Sequence, residues 1–143
     1  MTQASPAARP RPAVNQDNAF FWDGVARGEL LVQRCADCGH LRHPPGPMCP
    51  WCQSFNWHEV ASCGRGRVYS FVVAHRPLPP GFAGPVPIVL VDMDEGWRFL
   101  AGIGGIEPAG LRIGLPVVVD FVEFEPGFVL PHFRPAPTSE EPA

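Results

Sequence analysis

The sequence contains no lysine, so all eleven of its basic residues are arginine. This absence excludes Schiff-base catalysis by the chain, because that chemistry needs a lysine amine. Tyrosine occurs once and the isoelectric point is about 5.9, whereas binding to a nucleic-acid backbone needs a strongly basic groove with stacking aromatic rings. A nucleic-acid-binding module is therefore kept only as an alternative, and we expect no nucleic acid among the partners.

Long hydrophobic runs are also missing. No segment approaches the ~18 apolar residues of a membrane span, and the first twelve residues lack the apolar core of a signal peptide. We therefore expect a cytoplasmic protein with no membrane partner. In that reducing compartment, closely spaced cysteines are expected to bind a metal rather than to form disulfides.

Catalytic motifs are absent as well. None of the five serines lies in a Gly-x-Ser-x-Gly elbow, and the sequence has neither a P-loop nor a Gly-x-Gly-x-x-Gly motif after a strand. Asp92, Asp94 and Glu95 cluster at a predicted hairpin, where solvated turn residues are more common than a catalytic pair. The sequence predicts a chain with no catalytic residues of its own.

Proline is abundant, with 19 residues, and seven of these lie near the two ends. We predict disordered tails at residues 1–14 and 136–143. Between them, a helix pattern and two close Cys-x-x-Cys pairs predict an N-terminal helix and zinc ribbon at 15–60, and five strand patterns predict an OB-fold barrel at 61–135. The predicted fold class is mostly β.

The N-terminal helix is predicted to be capped by Asn15 and to continue to about Arg27, where Gly28 suits the left-handed conformation that ends a helix. Phe21 and Val25 are four residues apart and share a face, while Trp22 points elsewhere. The helix therefore has more apolar surface than one packing face needs. That surface is available for a partner or for the chain's own barrel.

Alternating and apolar runs predict the strands, and clusters of glycine and proline predict the breaks between them. A short strand is expected at Leu30–Gln33, followed by a metal-organised loop pair and a linker at Phe55–Cys63. The barrel strands are predicted at Gly66–Ala74, Val86–Met93, Trp97–Ile103, Leu115–Phe124 and Phe128–Phe133, with a non-strand insert at Glu107–Ile113.

Two Cys-x-x-Cys knuckles carry the clearest chemistry in the sequence. Each can present two sulfurs to one tetrahedral ion, so the knuckles together supply the four-thiolate shell of a structural zinc. Iron in a rubredoxin-like redox protein uses the same geometry and is the alternative. The predicted ligands are Cys35, Cys38, Cys49 and Cys52.

The other candidate ligands near the knuckles are not needed once four thiolates satisfy the metal. His40 and His43 are therefore interpreted as loop residues. Cys63 is interpreted as a small buried apolar residue. His75 and Arg76 open a long proline-rich loop and are candidates to meet a ligand phosphate, although an exposed loop end is the alternative.

These residues together resemble a family of small bacterial and archaeal acyl-CoA-associated proteins, in which a rubredoxin-like zinc ribbon precedes an OB-fold. The resemblance covers residues 20–135. It rests on the aromatic helix before Gly28, the two knuckles with Gly39, the segment Gly64–Phe71 that begins the barrel, and the ending Leu130–Pro135.

The resemblance implies a non-catalytic companion of a thiolase-superfamily enzyme, such as a thiolase or a steroid side-chain retro-aldolase. The partner would hold the catalytic groups in a hetero-oligomer, of which two copies of each subunit is one arrangement, and acyl-CoA would bind at a shared site. The residues we expect to face the partner or the acyl-CoA are Phe20, Trp22, His75, Arg76 and Phe82.

Overall fold

A computed structural model describes residues 9–137. Most of the two predicted tails, residues 1–8 and 138–143, lies outside the described residues. These residues form one α-helix, eight strands and a short 3-10 helix, Pro108–Gly110. The helix is α1 (Ala19–Ala26), and the strands are β1 (Leu31–Cys35), β2 (Leu41–Arg42), β3 (Trp57–Ala61), β4 (Arg65–Ala74), β5 (Val86–Met93), β6 (Arg98–Gly102), β7 (Pro116–Glu125) and β8 (Phe128–Pro135).

Helix α1 begins three residues later than predicted, because its N-cap is Asn18 and not Asn15. The Asn15 side chain accepts hydrogen bonds from the backbone N–H groups of Asp17 and Asn18, at 2.9 and 3.0 Å, so it caps a turn that leads into the helix. Gly28 has φ +77°, as the predicted left-handed stop requires. The eight-residue helix is too short to cross a membrane, and residues 9–137 contain no helix with the length and apolar character to do so.

The first sheet is a three-stranded antiparallel ribbon in the order β2-β1-β3. The predicted linker at Phe55–Cys63 is wrong, because β3 lies within it and pairs with β1 from Leu31↔Ala61 to Cys35↔Trp57. Strand β3 has only five residues and exposes most of them, so no hydrophobic pattern marks it in the sequence.

The second sheet has five antiparallel strands in the order β6-β5-β4-β7-β8. Strand β4 pairs with both β5 and β7, as a Greek-key arrangement requires. A bridge between Ile103 and Phe133 brings the end of β6 to β8, on the opposite edge of the sheet. The predicted mostly β fold, with a helix, a zinc ribbon and then an OB-type barrel, is confirmed.

The helix, the ribbon and the barrel share one hydrophobic core. Phe21 and Val25 of α1 are buried with Val32 of β1 and Phe133 of β8, and the Phe21 and Phe99 rings lie 5.9 Å apart. The helix therefore packs onto the chain's own barrel through the face predicted from the spacing of Phe21 and Val25. Trp22 is half-buried and also packs against this core, with its ring 5.0 Å from that of Phe21.

Candidate functional site

The two knuckles bring their four cysteine sulfurs into one cluster. The Sγ atoms of Cys35, Cys38, Cys49 and Cys52 all lie within 4.8 Å of one another. The closest pairs, Cys35 with Cys52 and Cys38 with Cys49, are 3.5 and 3.6 Å apart. Sulfurs bound tetrahedrally at about 2.3 Å from zinc stand about 3.8 Å apart, so the cluster has the dimensions of a four-thiolate zinc site.

The same backbone turn builds both knuckles. The N–H of Gly39 donates to the Cys35 carbonyl at 3.0 Å, and the N–H of Gln53 donates to the Cys49 carbonyl at 2.8 Å. Both residues have positive φ, +81° for Gly39 and +65° for Gln53. Sequence reasoning identified the glycine but not Gln53, because a non-glycine residue in this region is uncommon.

Backbone donors support the thiolate form of the first ligand. The N–H of Cys38 lies 3.4 Å from the Cys35 sulfur, and this hydrogen bond is the largest of several that together lower the pKa of the Cys35 thiol to about 6. The Asp37 carboxylate accepts hydrogen bonds from Ser54 and Asn56, which follow the second knuckle. Asp37 therefore ties one knuckle to the other, and the hydrogen bond from Ser54 is the main reason that its pKa is lowered.

The two histidines near the knuckles lie in different environments. The His40 Nδ1 atom is 3.2 Å from the Cys38 sulfur, and its ring stacks on the exposed Trp51 at 4.4 Å. His40 thus contacts a candidate ligand from outside the cluster. His43 packs among aromatic rings, and burial lowers its pKa to about 4, so the ring is neutral at physiological pH.

The connection between ribbon and barrel is held by a residue that the sequence analysis assigned to a solvated turn. The Glu95 carboxylate accepts hydrogen bonds from the Ser62 hydroxyl at 2.9 Å, the Cys63 N–H at 2.5 Å and the Trp97 indole at 3.0 Å. Burial alone raises the Glu95 pKa, but the bonds from Cys63, Trp97 and Ser62 outweigh it and lower the pKa. The prediction that Cys63 is buried is wrong, since it lies exposed on this connection.

An apolar cleft with a volume of about 570 Å³ lies between α1, the proline-rich loop and the edges of the barrel. It brings together two of the predicted partner-facing residues, Trp22 and Phe82. Ile88 and Leu130 also line the cleft with apolar side chains. His132 is a half-buried lining residue, and burial is the main reason that its pKa is lowered. The cleft offers a mostly apolar surface with few polar groups, which is typical of small-molecule sites.

Arg9 supplies a positive charge at this apolar cleft. Its guanidinium lies 4.1 Å from the centre of the Phe82 ring and 3.9 Å from that of Phe124. None of the three ion pairs within residues 9–137 involves Arg9. Sequence reasoning placed Arg9 in a disordered tail, and only the folded chain brings it to Phe82.

The remaining predicted residues lie outside the apolar cleft. His75 and Arg76 are exposed and line a separate recess with Leu78 and Pro85. Phe20 packs against Trp57 of the ribbon, with ring centres 4.9 Å apart. The structure therefore does not gather the five predicted residues into one site.

Two family models match this chain in sequence. The model described as the rubredoxin-like zinc ribbon domain of ChsH2 matches residues 22–58, and the model described as the C-terminal OB-fold domain of ChsH2 matches residues 59–122. The first match contains all four clustered cysteines. A structural zinc is therefore the cofactor that both the donor set and the family indicate.

Three curated relatives are similar to the chain. A probable enoyl-CoA hydratase alpha subunit of Thermomonospora curvata is 49% identical over 97% of this chain, and the 3-oxo-4,17-pregnadiene-20-carboxyl-CoA hydratase alpha subunit of Mycobacterium tuberculosis is 47% identical over 83%. The chain spans only 44% and 38% of their respective lengths. A DUF35 domain-containing scaffold protein of Pyrococcus furiosus is 33% identical over 68% of this chain and 72% of its own length.

A solved structure named Ltp2-ChsH2(DUF35) aldolase contains a chain that is 49% identical to this one. The two superpose with a TM-score of 0.84, and the match covers 89% of this chain and 100% of the other. Family models, relatives and structure agree with the resemblance inferred from the knuckles and barrel motifs. The chain belongs to the DUF35 family, with the zinc ribbon and OB-fold of ChsH2.

Proposed function

We propose that this chain is a non-catalytic accessory subunit that binds and stabilises a thiolase-superfamily acyl-CoA enzyme and helps to form its acyl-CoA site. The observation that carries the proposal is the similarity over the full length of the DUF35 chain in the aldolase structure. The name of the scaffold relative supports the same role. Catalysis would then belong to the partner, which would be a thiolase or a steroid side-chain retro-aldolase.

The name "hydratase alpha subunit" belongs to proteins more than twice as long as the matched segment. We therefore do not assign hydration chemistry to this chain. In residues 9–137, the single group of three or more metal-ligating side chains is the cysteine cluster. Four thiolates fill the coordination shell of zinc and leave no open position for a substrate, which supports a structural role for the metal.

In this proposal, Cys35, Cys38, Cys49 and Cys52 hold the zinc, and the apolar cleft faces the acyl-CoA. Trp22 and Phe82 would contact the acyl part, while Arg9 would lie close to its anionic groups. His75 and Arg76 would meet the partner or the CoA phosphates from the neighbouring recess. Phe20 would act through α1, because its ring is already half-covered by Trp57.

Co-expression with a thiolase-superfamily enzyme tests association. We expect the two to co-purify as a hetero-oligomer, and a chain that is recovered alone would contradict the proposal. The role of the apolar cleft is tested in the complex with Phe82→Ala. We expect this variant to raise the KM for acyl-CoA about 5- to 30-fold, as loss of a buried aromatic contact does.

Phe55→Ala is the matched control, since Phe55 is exposed on the ribbon and does not line the apolar cleft. It should leave the KM unchanged. Equal KM values for Phe82→Ala and Phe55→Ala would remove the apolar cleft from the acyl-CoA site while leaving the association intact.

A further inference from the structure

A second cleft lies between the zinc ribbon and the β5–β6 hairpin, with a volume of about 690 Å³. Met48 and Trp51 of the ribbon form one wall, and Trp97 and Arg98 of the hairpin form another. Met48 and Trp51 are 45% and 56% exposed. Methionine, tryptophan and arginine are the residue types enriched at protein interfaces, so this surface has the composition of a docking site.

Arg42 lines the same cleft and is only 7% exposed. Its Nη2 donates to the Gly46 carbonyl at 3.1 Å, but its Nε and Nη1 are buried without a hydrogen-bond partner among residues 9–137. Arg42 also takes part in none of the three ion pairs within residues 9–137. A buried guanidinium with two unpaired donors is unfavourable unless an anion reaches it, so the folded chain has an unmet requirement for negative charge here.

The other charged groups of this cleft do not meet that requirement. Asp92 pairs with Arg98 through a 2.6 Å contact, and Arg98 also lies 3.7 Å from the centre of the Tyr69 ring. That carboxylate is already paired, which leaves Arg42 without a carboxylate partner in this cleft. A complementary occupant is therefore anionic, and the exposed Met48 and Trp51 require that it also be apolar.

We propose that this surface, the Arg42 cleft, is the docking site for an acidic segment of the partner enzyme subunit. A carboxylate of that segment approaches the part of Arg42 that lines the cleft, and an adjacent apolar side chain packs against Met48 and Trp51. The identity of the partner rests on the proposed function. The need for a carboxylate rests on Arg42 alone, and the two can be tested separately.

The first test uses the zinc-loaded chain without a partner. Arg42→Met removes the buried charge but leaves the Gly46 carbonyl bonded to Gln33 at 2.9 Å. We expect its melting temperature to equal or exceed that of the wild type. Replacing sodium chloride with sodium acetate at equal ionic strength stabilises folded proteins in general, so the test is the difference between variants. The rise in melting temperature should be larger for the wild type and for the exposed control Arg112→Met than for Arg42→Met.

A clearly lower melting temperature for Arg42→Met, with no acetate effect that depends on Arg42, would overturn the proposal. It would show that the guanidinium is satisfied within the chain, for example by buried water. These melting temperatures are measured without a partner. They therefore test the anion site even if no enzyme subunit associates with the chain.

The second test measures the dissociation constant of the complex. Arg42→Met should weaken binding about 30-fold or more, as loss of one member of a buried charge pair does. Met48→Glu should weaken binding and Met48→Arg should not, because only the first repels a carboxylate. Ile113→Glu, at a 70% exposed position outside the Arg42 cleft, is the control and should bind as the wild type does.

Wild-type affinity in both Arg42→Met and Met48→Glu would overturn the docking site and leave the proposed function standing. A wild-type chain that binds no thiolase-like enzyme would instead overturn the proposed function.

Discussion

Replacement of Glu95 tests how the β5–β6 hairpin holds the connection between ribbon and barrel. In Glu95→Ala, the Trp97 indole N–H loses its acceptor, and Trp97 is only 5% exposed. A buried donor left unpaired costs about 1–3 kcal/mol. The bonds to Ser62 and Cys63 add little, because water replaces the exposed carboxylate there. We therefore expect a loss of about 2 kcal/mol in the free energy of unfolding.

At about 4 °C per kcal/mol for a chain of this length, the melting temperature should fall by about 8 °C. The assay is thermal unfolding of the zinc-loaded chain at pH 7. Asp94→Ala is the matched control in the same turn, since the Asp94 side chain makes no hydrogen bond in the described structure. Glu95→Gln should lose less than Glu95→Ala, because its amide oxygen still accepts from the indole.

The pH dependence provides a second check on Glu95. Its folded-state pKa is lowered from 4.5, so its contribution is present above pH 4.5 and is lost as the pH falls through the folded-state pKa. The stability difference between wild type and Glu95→Gln should therefore shrink under acidic conditions. Equal melting temperatures for Glu95→Ala and Asp94→Ala at pH 7 would refute the assignment of Glu95 to this connection.

Three further predictions concern the metal, the barrel and His43. Cys38→Ser should abolish stoichiometric zinc in metal analysis and unfold the ribbon in circular dichroism, because metal binding and folding of so small a unit are coupled, whereas the exposed Cys63→Ser should retain both. Gly66→Ala should cost about 1–3 kcal/mol in urea unfolding, since its Cβ would lie 2.3 Å from the Asp92 carbonyl oxygen, whereas Gly104→Ala meets nothing within 4 Å and should cost less. NMR titration should place the His43 pKa at about 4, and a value near 6.5 would show that the ring is not shielded from water.

Sequence patterns predicted the strands of the barrel because each is a run of apolar or alternating residues that ends at glycine or proline. Val86–Met93 was predicted with its observed bounds, and the other barrel strands differ by one or two residues at one or both ends. The four-cysteine cluster was equally predictable, since two short knuckles constrain their own geometry. Both signals are local in the sequence.

The features that the sequence did not reveal depend on contacts between distant residues. Strand β3 exists because it pairs with β1, about 25 residues earlier in the chain. Glu95 acts on Ser62 and Cys63, more than thirty residues away, and so resembles an ordinary turn residue until the hairpin is folded. Arg9 gained its significance from contact with the distant Phe82 and Phe124 rings, and Arg42 gained it from burial, and composition indicates neither.

The most direct measurement of the central claim, that the chain acts through its surfaces and not through chemistry of its own, is the rate of acyl-CoA turnover. It should be measured for the chain alone, for the thiolase-like enzyme alone and for their complex. The account predicts no turnover by the chain and a higher rate for the complex than for the enzyme alone. Turnover of a thioester by the isolated chain, or an enzyme whose rate is unaffected by it, would contradict the account.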